Sequence, residues 1–272
     1  MIMSTLVMGV VNVTPDSFSD GGQWFTPDAA VVHGLDLMEQ GADILDVGGE
    51  STRPGADRPH EAEELRRVIP VIRELSRCGA RVSVDTMRAS VAAQAVEAGA
   101  SIVNDVSGGL ADPEMARVVA AAGVPFVVMH WRGHSDMMQD HVSYDDVVVD
   151  VCSALSERVS DLCARGVRRD QLILDPGFGF AKLAEHNWTL LAHLDALQSL
   201  GFPVLVGTSR KTFLGALGVS VGEASRPPAE RDVATAATTV IAGLAGVWGV
   251  RVHNVASSVD ALRVVAAVEV AR

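Results

Sequence analysis

Along the chain, short apolar runs rich in β-branched side chains alternate with longer stretches in which apolar residues recur every three or four positions. The first pattern marks buried strands and the second amphipathic helices, so their alternation is that of a βα repeat. The runs predict strands at 6–11, 44–47, 81–84, 102–104, 125–129, 172–174, 204–206 and 249–252. Eight such runs in 272 residues leave roughly 34 residues per strand-and-helix unit, which matches an α/β fold of the (β/α)8 TIM-barrel type, one domain over residues 1–272. Helix punctuation agrees. Thr26-Pro27 and Asp112-Pro113-Glu114 read as helix starts, and Gly41, Gly79, Gly99, Gly123 and Gly166 as helix ends just ahead of strands. An open doubly wound sheet would alternate too, but Val13-Thr14-Pro15-Asp16-Ser17 after the first strand is not the glycine-rich turn such sheets favour. The loops at 12–25 and 48–59 are long and rich in Gly, Pro, Ser and Asp, which makes them candidate lids. Within them Gly21-Gly22 and Gly48-Gly49 suit hinges and plain turns equally well.

Composition narrows the picture. Hydrophobic residues make up 48% of the chain, but 25 glycines and 11 prolines punctuate them, and no apolar run nears the roughly 20 residues that span a bilayer. The start Met1-Ile2-Met3-Ser4-Thr5-Leu6 has no basic leader region, so the expectation is a soluble, cytoplasmic protein with no membrane partner. Cys78, Cys152 and Cys163 form no C-x-x-C pair and read as reduced structural thiols. A net charge of −12 with no Lys/Arg stripe argues against nucleic acid as a partner, while a few focused cations still suit a small anionic substrate.

In a barrel, the carboxyl ends of all strands open on one mouth, so polar residues that follow the apolar runs converge there. They are Asn12, Asp46 with the loop Gly48-Gly49-Glu50-Ser51-Thr52-Arg53, Asp85, Asn104-Asp105, His130, Asp175, Ser209-Arg210-Lys211, and Arg251 with His253. Any one Asp or Asn at a strand end commonly caps a turn, and a lone His253 is commonly a core histidine. Their coincidence at most strand ends points instead to a shared site, one suited to a flat heterocycle with donors on one edge and a phosphorylated arm on the other. No H-E-x-x-H pair is present, so a zinc site held by the protein is not expected.

The segments that carry these residues resemble, in order along essentially the whole chain, those of the dihydropteroate synthases. The first is Met8-Gly9-Val10-Val11-Asn12-Val13-Thr14-Pro15-Asp16-Ser17-Phe18-Ser19-Asp20-Gly21-Gly22, and the second is Asp46-Val47-Gly48-Gly49-Glu50-Ser51-Thr52-Arg53-Pro54-Gly55. Val84-Asp85-Thr86, Asn104-Asp105-Val106-Ser107-Gly108, Leu174-Asp175-Pro176-Gly177-Phe178-Gly179-Phe180, Gly207-Thr208-Ser209-Arg210-Lys211 and Arg251-Val252-His253 follow. The resemblance implies that Asp85, Asn104 and Asp175 bind the amino-pyrimidine edge of a pterin, that Lys211 donates to its carbonyl and ring nitrogen, and that Arg251 lies along its face. It implies a pyrophosphate site at Asn12, Arg53, Arg251 and His253, with Mg²⁺ as cofactor near Asn12. For p-aminobenzoate it implies contacts from Phe18, Thr52, Pro54, Phe180 and Thr212, where the N–H groups of a helix start also favour a carboxylate.

The implied reaction joins 6-hydroxymethyl-7,8-dihydropterin pyrophosphate to p-aminobenzoate, with Asp85, Lys211 and Arg251 as the catalytic residues, and makes sulfonamides competitive inhibitors. Two other readings share part of the pattern. A methyltetrahydrofolate–corrinoid methyltransferase would keep the Asp/Asn edge but lack the long first and second loops; a non-catalytic pterin-binding paralogue would carry degraded second-loop or Ser-Arg-Lys motifs. The Ala/Thr-rich stretch 230–246 allows close approach of another helix, either from a second subunit, as a homodimer, or from the same barrel.

Overall fold

The computed structural model of the chain describes residues 5–14, 26–50, 58–133, 142–220 and 224–272. Strands and helices alternate as the periodicity predicts. In chain order they are β1 (Leu6–Asn12), α1 (Pro27–Glu39), β2 (Ile44–Gly48), α2 (Glu61–Arg77), β3 (Val82–Asp85), α3 (Ala89–Glu97), β4 (Ile102–Asp105), α4 (Met115–Ala122) and β5 (Phe126–Met129). There follow α5 (Val147–Ala164), β6 (Leu172–Asp175), α6 (Ala184–Ala192), α7 (Leu194–Gln198), β7 (Leu205–Val206), α8 (Thr212–Gly215), α9 (Asp232–Leu244), β8 (Gly249–Val252) and α10 (Val255–Val270). The strands run in the order β6-β5-β4-β3-β2-β1-β8-β7 with every pairing parallel. A parallel bridge between Leu174 and Val204 joins the two ends of that order, and the Leu174 N–H donates to the Pro203 carbonyl at 2.8 Å. The sheet is thereby a TIM barrel, not an open doubly wound sheet.

Alternation along each strand divides the apolar residues between two places. Outward side chains such as Val11, Val47, Val84 and Val128 pack under the helices with Leu37, Leu75, Leu155 and Leu162, all in one buried cluster. Inward side chains Met8, Ile44, Ile102, Val127, Ile173 and Leu205 form a second, smaller cluster that plugs the lower half of the barrel, with Leu6 and Trp248 packed against it. Above this floor the inward positions turn polar, at Asp46, Ser83, Asp85, Asn104, Asp175 and Arg251.

The glycines read as helix ends, Gly41, Gly79, Gly99, Gly123 and Gly166, all take positive φ, between 69° and 115°, where a side chain would be strained. Thr26 caps α1 by accepting the Ala29 N–H at 3.3 Å, with Pro27 in the first turn. Asp112 behaves differently from the expected cap. The helix after it begins only at Met115, and its carboxylate is shared between the Glu114 N–H at 3.0 Å and the Ala89 N–H at the start of α3, at 2.8 Å. The small residues of 230–246 are largely spent inside the chain: Thr235, Thr238 and Thr239 of α9 are buried, and a Cβ on Gly243 would lie 2.7 Å from Leu262 of α10. Among the described residues, no helix is long and apolar enough to cross a membrane.

One buried charge ties the helical layer to the mouth. Glu64 of α2 is fully buried, accepts the Thr86 hydroxyl at 2.5 Å, and pairs with Arg88. Arg88 also bonds Glu50 at 2.9 Å and the Pro59 carbonyl at 2.6 Å, so both roots of the second loop share one clasp. Burial raises the pKa of Glu64, against the pull of Thr86 and Arg88. Removing the carboxylate leaves Arg88 and Thr86 partly unpaired in a dry site, so Glu64→Ala should lower unfolding free energy by about 3 kcal/mol or more. Urea denaturation checks this, and a loss below about 1 kcal/mol would mean the clasp is solvent-relaxed.

Candidate active site

The site is built by strand ends. Asp85 and Asn104 are register partners at the ends of β3 and β4, Gly48 pairs with Asp85, and Asn12 pairs with Gly48, so these positions stand side by side around the mouth. Asp175 ends β6 beside Met129 of β5. Lys211 follows β7, and Arg251 sits on β8 opposite Met8. Arg251 reaches across the barrel: its Nε donates to Asp46 Oδ2 at 2.6 Å and its Nη2 to Asp85 Oδ2 at 2.7 Å. Asn104 Nδ2 donates to the same Asp46 oxygen at 2.9 Å. Four strands are thus joined through side chains in one polar layer.

The other wall is set by the segment after β6. Asp175 Oδ1 accepts the Gly177 N–H at 2.7 Å, which turns the chain. Gly177 (φ 70°) could not carry a side chain, because a Cβ would stand 2.6 Å from the His130 carbonyl. Gly179 (φ 73°) is constrained too, since the stem of Lys211 crosses it and a Cβ would lie 2.8 Å from Lys211 Cδ. The Lys211 ammonium rests 3.8 Å from the centroid of the Phe180 ring, a cation–π contact that presents the charge to the mouth. Beneath the turn, Lys182 donates to the carbonyls of Gly177 and Phe180, at 3.1 and 3.2 Å, and lies 3.0 Å from His130 Nδ1.

Lys211 is aimed by a strained neighbour. Arg210 has φ 59°, a left-handed value that costs a side-chain-bearing residue roughly 1–2 kcal/mol. Its guanidinium forks onto Asp232 at 2.7 and 2.9 Å, its N–H donates to Thr235 Oγ1 at 3.2 Å, and its carbonyl accepts from Arg231 Nη1 at 2.8 Å. Next to it, Ser209 Oγ lies 2.9 Å from His253 Nδ1 and accepts the His253 N–H at 3.1 Å, which fixes the imidazole at the rim.

Burial dominates the electrostatics. It raises Asp85 to about 7, with Arg251 opposing and the Asp46 charge adding to the rise. Asp175 is also raised by burial, against the Gly177 N–H and the Lys211 charge. Burial lowers Lys211 to about 8, helped by the nearby Arg251 and opposed by Asp175 and Asp85. Lys182 falls to about 7 by burial, with Asp175 opposing, and burial also pushes His130 down, so this imidazole is neutral. The mouth therefore holds buried acceptors on β3, β4 and β6, and partly buried donors from β7 and β8.

The expected residues Asp85, Asn104, Asp175, Lys211 and Arg251 are brought together. Asn12 is half-buried at the end of β1, Phe180 lies against Lys211, and His253 sits beside Ser209. Thr212 opens α8 as expected, but that helix is a single turn, so an anion there would meet N–H groups without an extended dipole behind them. Phe18, Thr52, Arg53 and Pro54 lie outside the described residues. The sequence marks Asp46 as a strand-end polar residue and no more. Its place two residues after Ile44 in β2 was the available signal for an inward carboxylate. Lys182 lies in a loop with no periodic signal.

A parallel barrel with a ring of acceptors facing two cations at its carboxyl end defines an enzyme that takes a flat polar heterocycle. The profile of the pterin binding enzyme family matches residues 8–253. The dihydropteroate synthase of Mycobacterium leprae (strain TN) is 53% identical over 262 residues, 96% of this chain and 92% of that protein. The Xanthomonas albilineans dihydropteroate synthase structure with 4-aminobenzoic acid has a TM-score of 0.89 at 47% identity, covering 98% of this chain and 94% of the other. The Yersinia pestis dihydropteroate synthase in a sulfonamide drug complex has a TM-score of 0.92 at 40% identity, covering 99% and 96%. The chain belongs to the pterin binding enzymes and, within them, to the dihydropteroate synthases, transferases of folate biosynthesis.

The raised Asp85 has a testable sign. Its folded-state value lies above the ordinary 3.8, so the stability it contributes is complete below that range and is lost as pH rises through about 7. The melting temperature of the parent minus that of Asp85→Asn should therefore fall between about pH 4 and about pH 8 in circular-dichroism melts. A difference that grows over this range would mean that Arg251 holds the carboxylate ionised throughout.

Proposed function

We propose that the mouth of this barrel binds 6-hydroxymethyl-7,8-dihydropterin pyrophosphate through Asp85, Asn104, Asp175, Lys211 and Arg251, and joins its methylene carbon to the amine of p-aminobenzoate. The observation that carries this division of labour is the Asp85–Arg251–Asp46–Asn104 network opposite Lys211, which aligns acceptors and donors from five strand ends. The acceptors suit the amino-pyrimidine edge, and the Lys211 ammonium, still mostly protonated near neutral pH, suits the ring carbonyl. Arg251 and His253, with Arg53, hold the pyrophosphate; the guanidinium of Arg251 is planar and weakly hydrated, so it can serve both ring face and leaving group.

In the reaction the carbon–oxygen bond to pyrophosphate breaks, the carbon–nitrogen bond forms, and the amine gives up one proton. An arylamine is neutral at pH 7 and needs no strong base, in keeping with a site that gathers charge-stabilising groups. Asn12 offers an amide oxygen, the hard donor that Mg²⁺ takes beside the oxygens of a phosphorylated substrate, and the ion would supply neutralisation of the departing charge. Phe18, Thr52, Pro54, Phe180 and Thr212 form the p-aminobenzoate end, which is also where sulfonamides compete.

The deciding assay follows pyrophosphate release and 7,8-dihydropteroate formation with Mg²⁺, with and without p-aminobenzoate. Lys211→Ala should cut product formation by about 100-fold or more, and undiminished turnover in that variant would remove Lys211 from the site. We also propose that the enzyme acts in the cytoplasm as a homodimer, on the grounds that Val233, Ile241 and Leu244 of α9 and Val264 and Val268 of α10 are exposed on neighbouring helices. Light scattering at micromolar concentration should give twice the 28.6 kDa chain mass; the mass of one chain would reject the dimer.

A further inference from the structure

Asp46 is the one inward carboxylate of the polar layer to which no substrate contact is assigned above. It is fully buried on β2, one inward position above Ile44 of the apolar floor. Asp105, also fully buried, spends its carboxylate locally, on the Ser107 N–H and hydroxyl and the Gly109 N–H. Asp46 makes no such local bond. Its Oδ2 takes Asn104 Nδ2 and Arg251 Nε, from residues 58 and 205 positions away, and its Oδ1 is buried with no hydrogen-bond partner among the described residues. Leaving a carboxylate oxygen unmatched in a dry interior is costly, so a residue there for stability alone would be better replaced by an apolar one.

Its effect on Asn104 is directional. A side-chain amide has a donor end and an acceptor end, and Asp46 Oδ2 can only accept from it. That bond uses one of the two N–H groups of Nδ2 and fixes which way the amide faces, so the Asn104 amide oxygen is the end turned to a ligand. We propose that Asp46 is a positioning residue that sets the polarity of the heterocycle pocket: by holding Asn104 Nδ2 and Arg251 Nε on one oxygen, it restricts the pocket to a ring edge that donates a hydrogen bond at Asn104. The inference rests on the pterin reading above and deepens it. A 2-amino-4-oxo ring supplies that donor at its 2-position, where the matching 2,4-dioxo ring presents an oxygen to an oxygen and keeps donors only on its ring nitrogens. Arg251, held by the same atom, keeps its Nη2 on Asp85, so one carboxylate orders three ring-facing side chains.

The test is calorimetric binding of 6-hydroxymethylpterin and 6-hydroxymethyllumazine to the parent, Asp46→Leu and Asp46→Asn. The parent should favour the pterin by about 100-fold or more. Asp46→Leu, which removes the acceptor but keeps the branched four-atom side-chain skeleton, should reduce that ratio at least about tenfold, because the amide can then turn either end to the ligand. Asp46→Asn should keep the ratio within about threefold, since its amide oxygen can stand in for Oδ2. A packing role would weaken both ligands alike, so an unchanged ratio in Asp46→Leu overturns the proposal, as does a parent that binds both rings equally.

Hydrogen exchange of the Asn104 side-chain NH₂ in ¹⁵N-asparagine-labelled parent protein decides the matter even where Asp46→Leu does not fold. Protection in the free chain supports the contact with Asp46, and an NH₂ that exchanges freely until pterin is added overturns it. Absence of saturable pterin binding to the parent would instead count against the pterin reading, leaving the free-chain exchange to judge Asp46.

Discussion

A carboxylate buried inside a closed barrel has no bulk water to turn to, and the bridge that a partly exposed Arg251 makes to Asp46 and Asp85 answers that constraint. Burial works against each of these groups alone. Arg251 sets contacts at 2.6 and 2.7 Å against that cost, and removing one partner from such a cluster leaves the others unmatched at a cost of several kcal/mol. The layer that holds β2, β3 and β8 together from inside is thus the same layer that lines the mouth. The apolar plug from Met8 to Leu205 lies below it and closes the other end, so a ligand is confined to the upper half of the barrel.

Around this layer the mouth is braced by groups that need not touch a ligand. Arg210, held left-handed by Asp232, Thr235 and Arg231, aims the lysine after it. Lys182 sits under the turn that carries Phe180 and gathers its carbonyls, while Glu64 and Arg88 hold both roots of the second loop. Strain and buried charge collect here because a precise constellation must be held by partners that have no other stable arrangement.

The fold was legible because its rule is periodic. Alternation put Val11, Val47 and Val84 under the helices and Met8, Ile44 and Ile102 inside, and the glycines at 41, 79, 99, 123 and 166 mark turns that only they make easily. The site was legible as strand ends and motifs, which brought Asp85, Asn104, Asp175, Lys211 and Arg251 to one mouth. What stayed hidden is what depends on distance through space. Asp46 and Arg251 are 205 positions apart, and no local pattern says that one oxygen serves both Arg251 and Asn104. The Asp112 carboxylate, spent on two helices at once, is hidden for the same reason.

The wall of the barrel is not uniformly sewn. Seven neighbouring pairs of strands share ladders, but β6 meets β7 through the Leu174–Val204 bridge, and β7 itself is two residues long. Asp175 stands on one side of that joint and Lys211 on the other. Groups that flank a lightly stitched joint can change their spacing by a fraction of an ångström without unpicking a ladder, which a fully bonded cylinder would resist. A stiff container thereby acquires a yielding lip on the side where the Asp175 carboxylate and Lys211 stand.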